Sequence, residues 1–161
     1  MPDTANFEAG SKKIKNSLLI PEHVRREMLA HAQSPSSLNC EVCGILAGRE
    51  NKIFEIYKGR NAAPSAVSYE LDSKEQLRIM KDIAARGLEA LAVYHSHPAG
   101  RACPSEKDRA VAALQRELAG WDIAHVIIGL AGPMPEIKAF RLDETDSLAE
   151  IPMEFIEKES T

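Results

Sequence analysis

Two histidines one residue apart, His95 and His97, follow the apolar run of residues 88–94 and are succeeded at once by Pro98. A short apolar run of that kind reads as a buried strand. On a strand, residues i and i+2 project to the same face, so both imidazoles can converge on one ion while Ser96 points away. Asp108 stands eleven positions after His97, beyond a Pro- and Gly-containing loop long enough to swing its carboxylate back. A hydrolytic zinc takes three nitrogen or oxygen donors from the protein and keeps its fourth tetrahedral corner for water. Two imidazoles and one carboxylate meet that requirement, and Glu41 offers a separate upstream acid.

Each of these residues also has a plainer reading. A His-x-His pair alone is more often hydrogen-bonded or solvated than metal-binding. Ser105-Glu106-Lys107-Asp108 satisfies the capping box at a helix start, with Ser105 at N-cap and Asp108 at N3, and Pro104 supports a start there. Glu41 alone would be an ordinary acid ahead of a strand. Capping does not explain why an N-cap serine and N3 acid follow a His-x-His strand end by one loop, with a glutamate upstream.

The pattern His95-Ser96-His97-Pro98, six residues, Ser105, two residues, Asp108 resembles the motif of the JAMM/MPN-type metallopeptidases. Glu41-Val42-Cys43-Gly44-Ile45-Leu46-Ala47-Gly48 resembles their separate glutamate segment. The resemblance spans about residues 17–142 and is met at all five positions. It implies that His95, His97 and Asp108 hold Zn2+, and that Glu41 hydrogen-bonds the metal-bound water and shuttles its proton. By the same resemblance Ser105 donates its hydroxyl to the oxyanion or to that water. The implied fold is MPN/JAMM (cytidine-deaminase-like), an α/β (α+β) fold with a mixed central β-sheet flanked by helices.

Members of that family hydrolyse peptide or isopeptide bonds at the C-terminus of ubiquitin or ubiquitin-like proteins. The short loop between the metal strand and its helix resembles the small stand-alone prokaryotic type, whose relatives act on ubiquitin-like sulfur carrier proteins. The implied substrate is therefore a carrier ending in Gly-Gly, with a homodimer one option for the oligomeric state. Three alternatives stay open: a phage-tail or cell-wall peptidase, a non-catalytic MPN interaction domain, and a RadC-like nucleic-acid-associated protein. The last type typically has Asn between its histidines, where this chain has Ser96.

Composition sets outer limits. With 161 residues, 44% apolar and 27% charged, one globular domain with a sizeable core is expected. A net charge of −4 argues against nucleic acid, and no apolar run reaches the roughly 18 to 20 residues of a membrane span. Three cysteines without a secretory h-region point to free thiols and a cytoplasmic location. Cys40 and Cys43 form a C-x-x-C around Glu41 but have no second pair, so buried thiols are the simpler reading. Cys103 lies in the loop between His97 and Asp108, where a thiolate near the metal is conceivable, although a fourth protein ligand would displace the water.

The supporting elements follow from periodicity. Residues 1–16 read as a polar arm, residues 17–142 as the catalytic domain, and residues 143–161 as an acidic tail whose segment 151–156 suits an edge strand. A strand is expected over 17–20, then a helix from Pro21 to about Gln33 with Val24, Met28 and His31 inward and His23 exposed. Residues 42–47 and 52–57 suit a hairpin, and 68–71 a further short strand. Helices are expected over 73–86, with Leu77, Met80 and Ala84 on one stripe, and over 105–119, with Val111, Leu114 and Leu118 inward. Gly87 and Gly120 suit their ends. Strands over 125–130 and 136–142 complete the pattern, with His125 structural.

Overall fold

The computed structural model describes residues 17–157, so the polar arm expected over 1–16 lies outside the described residues. In chain order the elements are β1 Leu18–Pro21, α1 Glu22–Ala32, β2 Cys43–Arg49, β3 Lys52–Lys58, α2 Ser73–Ala85, β4 Glu89–His97, α3 Glu106–Ala119, β5 Ala124–Gly129, β6 Glu136–Leu142, β7 Leu148–Ile151 and β8 Met153–Ile156. The eight strands form one mixed sheet in the order β7-β6-β5-β4-β2-β3-β1-β8. The mixed α/β architecture inferred from the sequence is the one observed.

Only Pro152 separates β7 from β8, yet these strands are the two edges of the sheet. The sheet must therefore curl enough to bring one end of each edge strand together at Pro152, whose carbonyl accepts from the Leu18 N–H at 3.0 Å. The segment expected to supply one edge strand thus supplies two: β7 pairs with β6 and β8 runs parallel to β1.

Alternation along the strands divides the side chains between two faces. Inside the curl, Val24, Met28 and Ala32 of α1 pack with Leu46, Ile53, Ala92, Tyr94, Val126 and Ile128. Tyr94 is fully buried and its hydroxyl lies 2.7 Å from His31 Nδ1, which puts His31 at the core edge as expected. Gly44 is required opposite, since a Cβ there would come within 2.3 Å of the Tyr94 ring. His23 departs from expectation: it is half-buried, with Nδ1 buried and without a hydrogen-bond partner. On the outer face Ile45 and Ala47 pack against Ile79 and Ile83 of α2.

Both outer helices are rotated from the expected phase. Ile79 and Ile83, rather than Leu77 and Ala84, are the buried positions of α2, and Leu77 is exposed. In α3 only Ala112 is buried, while Leu114 and Leu118 are exposed. The cause in α3 is local. Asp108 points at the histidines, and one turn later Ala112 continues that face; Leu114, six residues from Asp108, falls about 120° round the helix. Arg109 and Arg116 instead fasten α3 to the β6–β7 turn, through the Asp146 and Asp143 carbonyls and the Asp146 carboxylate.

Residues 68–71 form no strand; a single bridge joins Asn61 to Leu71. The segment and the residue after it bond instead to residues 60–62, with Ala62 N–H donating to Glu70 O and Asp72 N–H to Arg60 O. Asp72 then caps α2, accepting from the amides of Lys74 and Glu75. No helix among the described residues is long and apolar enough to cross a membrane.

Candidate metal centre

The strand β4 delivers both histidines. His95 pairs with Cys43 of β2 on one side and Ile127 of β5 on the other, and His97, two residues on, shares its face. Pro98 cannot continue the ladder, and the chain turns away there. The next helix begins with the expected capping box: Ser105 Oγ accepts from the Asp108 N–H at 3.0 Å, and Asp108 Oδ2 accepts from the Ser105 N–H at 2.9 Å. The two readings of Ser105 and Asp108 are therefore not exclusive. The box that starts α3 also orients the Asp108 carboxylate toward the histidines.

The convergence is close. His95 Nε2 and His97 Nε2 are 3.1 Å apart, with Asp108 Oδ1 3.3 Å from the first and Asp108 Oδ2 3.2 Å from the second. Glu41 Oε1 lies 3.9 Å from His95 Nε2. One donor atom from each of the four residues falls within 4.8 Å of the others. Glu41, His95 and Asp108 are buried, and His97 is partly exposed.

This donor set fits a divalent metal. A tetrahedral ion with bonds of about 2.0 to 2.1 Å holds its ligands about 3.3 Å apart, which is the size of the triangle formed here by two imidazoles and a carboxylate. His97 Nδ1 donates to the Arg101 carbonyl at 2.9 Å, leaving Nε2 with its lone pair toward the site. Glu41 Oε1 and His95 Nδ1 are buried with no hydrogen-bond partner. Leaving a buried lone pair unmatched is costly, and a cation in the cluster relieves that cost for the carboxylate.

The electrostatics separate the two acids. Burial works to raise the Asp108 carboxyl, but hydrogen bonds from His95 and His97 overcome it and hold Asp108 well below the usual carboxylate range. Burial pushes Glu41 up to about 7, with the His97 charge opposing and the Asp108 charge adding. One acid is thus held ionised, as a metal ligand must be, while burial favours the neutral form of the other. His95 is lowered by burial; His97, despite burial, is raised by Asp108 and the Arg101 carbonyl.

Sequence reasoning missed the residues that surround this set. Tyr69 stacks on the His95 ring, with centroids 4.6 Å apart and planes at 25°. Burial, together with Asp108, Cys43 and Glu41, drives its phenol well above the ordinary value. A lone tyrosine ahead of a helix cap carries no signal of such a contact. Glu41 itself precedes β2 and is held outside the sheet ladder: its N–H donates to Ser65 O at 2.7 Å, and its carbonyl accepts from Asn61 Nδ2 at 2.9 Å. Cys43 is buried beside the site, and burial with the nearby Glu41 raises its thiol to about 12. Cys103 is exposed and outside the donor cluster, and Cys40 also remains a free thiol. His125 is buried on the same sheet face as His95, but is not a member of the donor cluster.

Comparison with known proteins agrees with this geometry. The family described as prokaryotic homologs of the JAB domain matches residues 21–143. A desampylase from Pyrococcus furiosus is 32% identical over 136 residues, covering 84% of this chain and 89% of that protein. A CysO-cysteine peptidase from Mycobacterium bovis is 28% identical over 144 residues, covering 88% of this chain and 92% of that protein. A solution structure from Desulfitobacterium hafniense superposes with a TM-score of 0.73 at 31% identity, over 88% of this chain and 94% of that one. With a donor cluster of this composition inside the matched span, the chain belongs to the prokaryotic JAB-domain family, whose members named here are peptidases and desampylases.

Proposed function

We propose that this chain is a zinc peptidase that hydrolyses the peptide or isopeptide bond following the C-terminal Gly-Gly of a ubiquitin-like or sulfur carrier protein. His95, His97 and Asp108 would hold the ion. Zinc bound there supplies Lewis acidity and brings the pKa of water toward about 7.

Glu41 carries the reading. It is 2% exposed, belongs to the same donor group as the two histidines and Asp108, and its carboxyl lies at the edge of the triangle, where it can accept and then return a proton. Glu41 takes the proton of the attacking water on a carboxylate oxygen and passes it to the departing amine. Ser105 Oγ uses a lone pair for the Asp108 amide, which leaves its hydroxyl proton to donate to the developing oxyanion.

The carrier substrate is supported by the named relatives, one a desampylase and one a CysO-cysteine peptidase. A Gly-Gly tail, free of side chains, would let an extended main chain approach the donor triangle closely. We assign the activity to the cytoplasm, where the free cysteines among the described residues stay reduced.

The test is a pair of substrates: a carrier extended by one residue after Gly-Gly, and a carrier joined through Gly-Gly to a lysine side chain. Intact mass after incubation with zinc-loaded protein should reveal scission after the second glycine. A chelator should abolish it and added zinc restore it. A zinc-bearing protein that leaves both substrates whole sinks the proposal.

A further inference from the structure

Glu41 lies one residue short of Val42 and two short of β2, so no strand partner fixes its main chain. The residue is nevertheless buried, and its N–H and carbonyl must find partners. The Ser65 carbonyl takes the N–H, and the carbonyl receives Asn61 Nδ2. Asn61 Oδ1 in turn accepts from the amides of Ala63 at 3.1 Å and Glu70 at 3.0 Å. Glu70 adjoins Tyr69, whose ring rests on His95. One carboxamide therefore sits between the acid and the segment carrying the aromatic cover of a metal-site histidine.

The chemistry of that position is restrictive. It requires a donor facing a carbonyl and, on a separate atom, an acceptor facing two N–H groups, a combination that a carboxamide supplies and a carboxylate or an aliphatic side chain does not. The two amides also fix its orientation, because the opposite flip would set an NH2 against them.

We propose that Asn61 is a positioning residue for the reaction, holding the Glu41 main chain so that its carboxyl stays against the donor triangle. This rests on the reading of the chain as a zinc peptidase acting on a Gly-Gly carrier. Asn61 touches no reacting atom and acts through Glu41.

The test compares zinc-loaded wild type, Asn61→Asp, Asn61→Leu, Glu41→Gln and the Glu41→Gln/Asn61→Asp double variant on one carrier fusion, with zinc content and thermal midpoint recorded for each. Asn61→Asp keeps the acceptor for Ala63 and Glu70 and loses the donor to Glu41. It should retain one zinc per chain and a KM within about twofold of wild type, while kcat falls roughly 10- to 100-fold. In the Glu41→Gln background the same change should leave the residual rate unaltered, because its route runs through the missing carboxylate. A purely structural residue would lower both backgrounds alike. Asn61→Leu removes both halves of the clamp and should lose at least as much; should it fail to fold, Asn61→Asp still decides. A wild-type kcat in Asn61→Asp, or equal losses in the two backgrounds, overturns the assignment. A zinc-bearing wild type that cleaves no carrier fusion overturns the peptidase reading itself, and this assignment with it.

Discussion

Ser96 Oγ accepts a hydrogen bond from the Val42 amide at 2.9 Å, and the Ser96 amide donates to the Val42 carbonyl at 3.0 Å. The residue that separates the two histidines thus grips the neighbour of Glu41, so the metal strand and the acid share one frame. Ser96 is fully buried, as is the hydrogen bond it accepts. Replacing it by alanine strands the Val42 N–H, at a cost of about 1 to 3 kcal/mol. Ser96→Ala should lower the urea midpoint accordingly and reduce turnover while the zinc content holds. An unchanged midpoint would show that the Val42 amide finds another partner.

The four donors divide into groups with different consequences on removal. Glu41→Gln preserves volume but not basicity, so the protein should keep its zinc and lose roughly 100- to 10,000-fold in turnover. His97→Ala and Asp108→Ala each remove one corner of the triangle, and both should lose metal together with activity. Metal analysis by mass spectrometry alongside turnover separates the two classes. Retained turnover in Glu41→Gln would remove that residue from the chemistry.

How much of this was legible beforehand differs by element. His95, His97, Ser105 and Asp108 fall where their spacing suggested, because a strand and a capping box each fix side-chain direction over a few residues, whereas Glu41 lies outside both and only the resemblance pointed to it. The helix phases were not legible, because α2 offers two apolar stripes and α3 is oriented by Asp108 rather than by its leucines. The contacts of Asn61 and Tyr69 bring together residues distant in sequence, and neither residue belongs to a periodic pattern. The phase difference is measurable. Ile79→Ala and Ile83→Ala should each cost about 2 to 5 kcal/mol, whereas Leu77→Ser, Leu114→Ser and Leu118→Ser should stay within about 0.5 kcal/mol of wild type. Comparable losses in both sets would contradict the observed rotation.

Tyr69 covers one face of the His95 ring and narrows the directions that ring can take. An orienting contact of this kind changes metal affinity more than fold, on the order of 10-fold or more when removed. Tyr69→Ala should therefore release zinc to a chelating dye at lower dye concentration than wild type, and Tyr69→Phe, which keeps the ring, should restore retention. If Phe and Ala behave alike, the hydroxyl rather than the stacked ring is what matters.

His125 supplies a pH signature independent of turnover. It is 4% exposed, and burial lowers its pKa to about 4, with the nearby His95 acting in the same direction; Asp108 and Asp122 oppose, and Arg141 adds to the lowering. The ordinary histidine value is 6.5. Above pH 6.5 both folded and unfolded chains are neutral at this position, so its contribution is fully present. As pH falls from 6.5 toward about 4 the unfolded chain takes up a proton that the folded chain refuses, and stability drops by an amount on the order of 3 kcal/mol. Below about 4 both states are protonated and the loss levels off. His125→Asn lacks this titration, so its denaturant midpoint should fall less steeply across the same window. The difference between the two curves therefore reads His125 together with its coupling to His95. Parallel curves from pH 6.5 to 4 would mean that His125 takes its proton as readily in the fold as out of it.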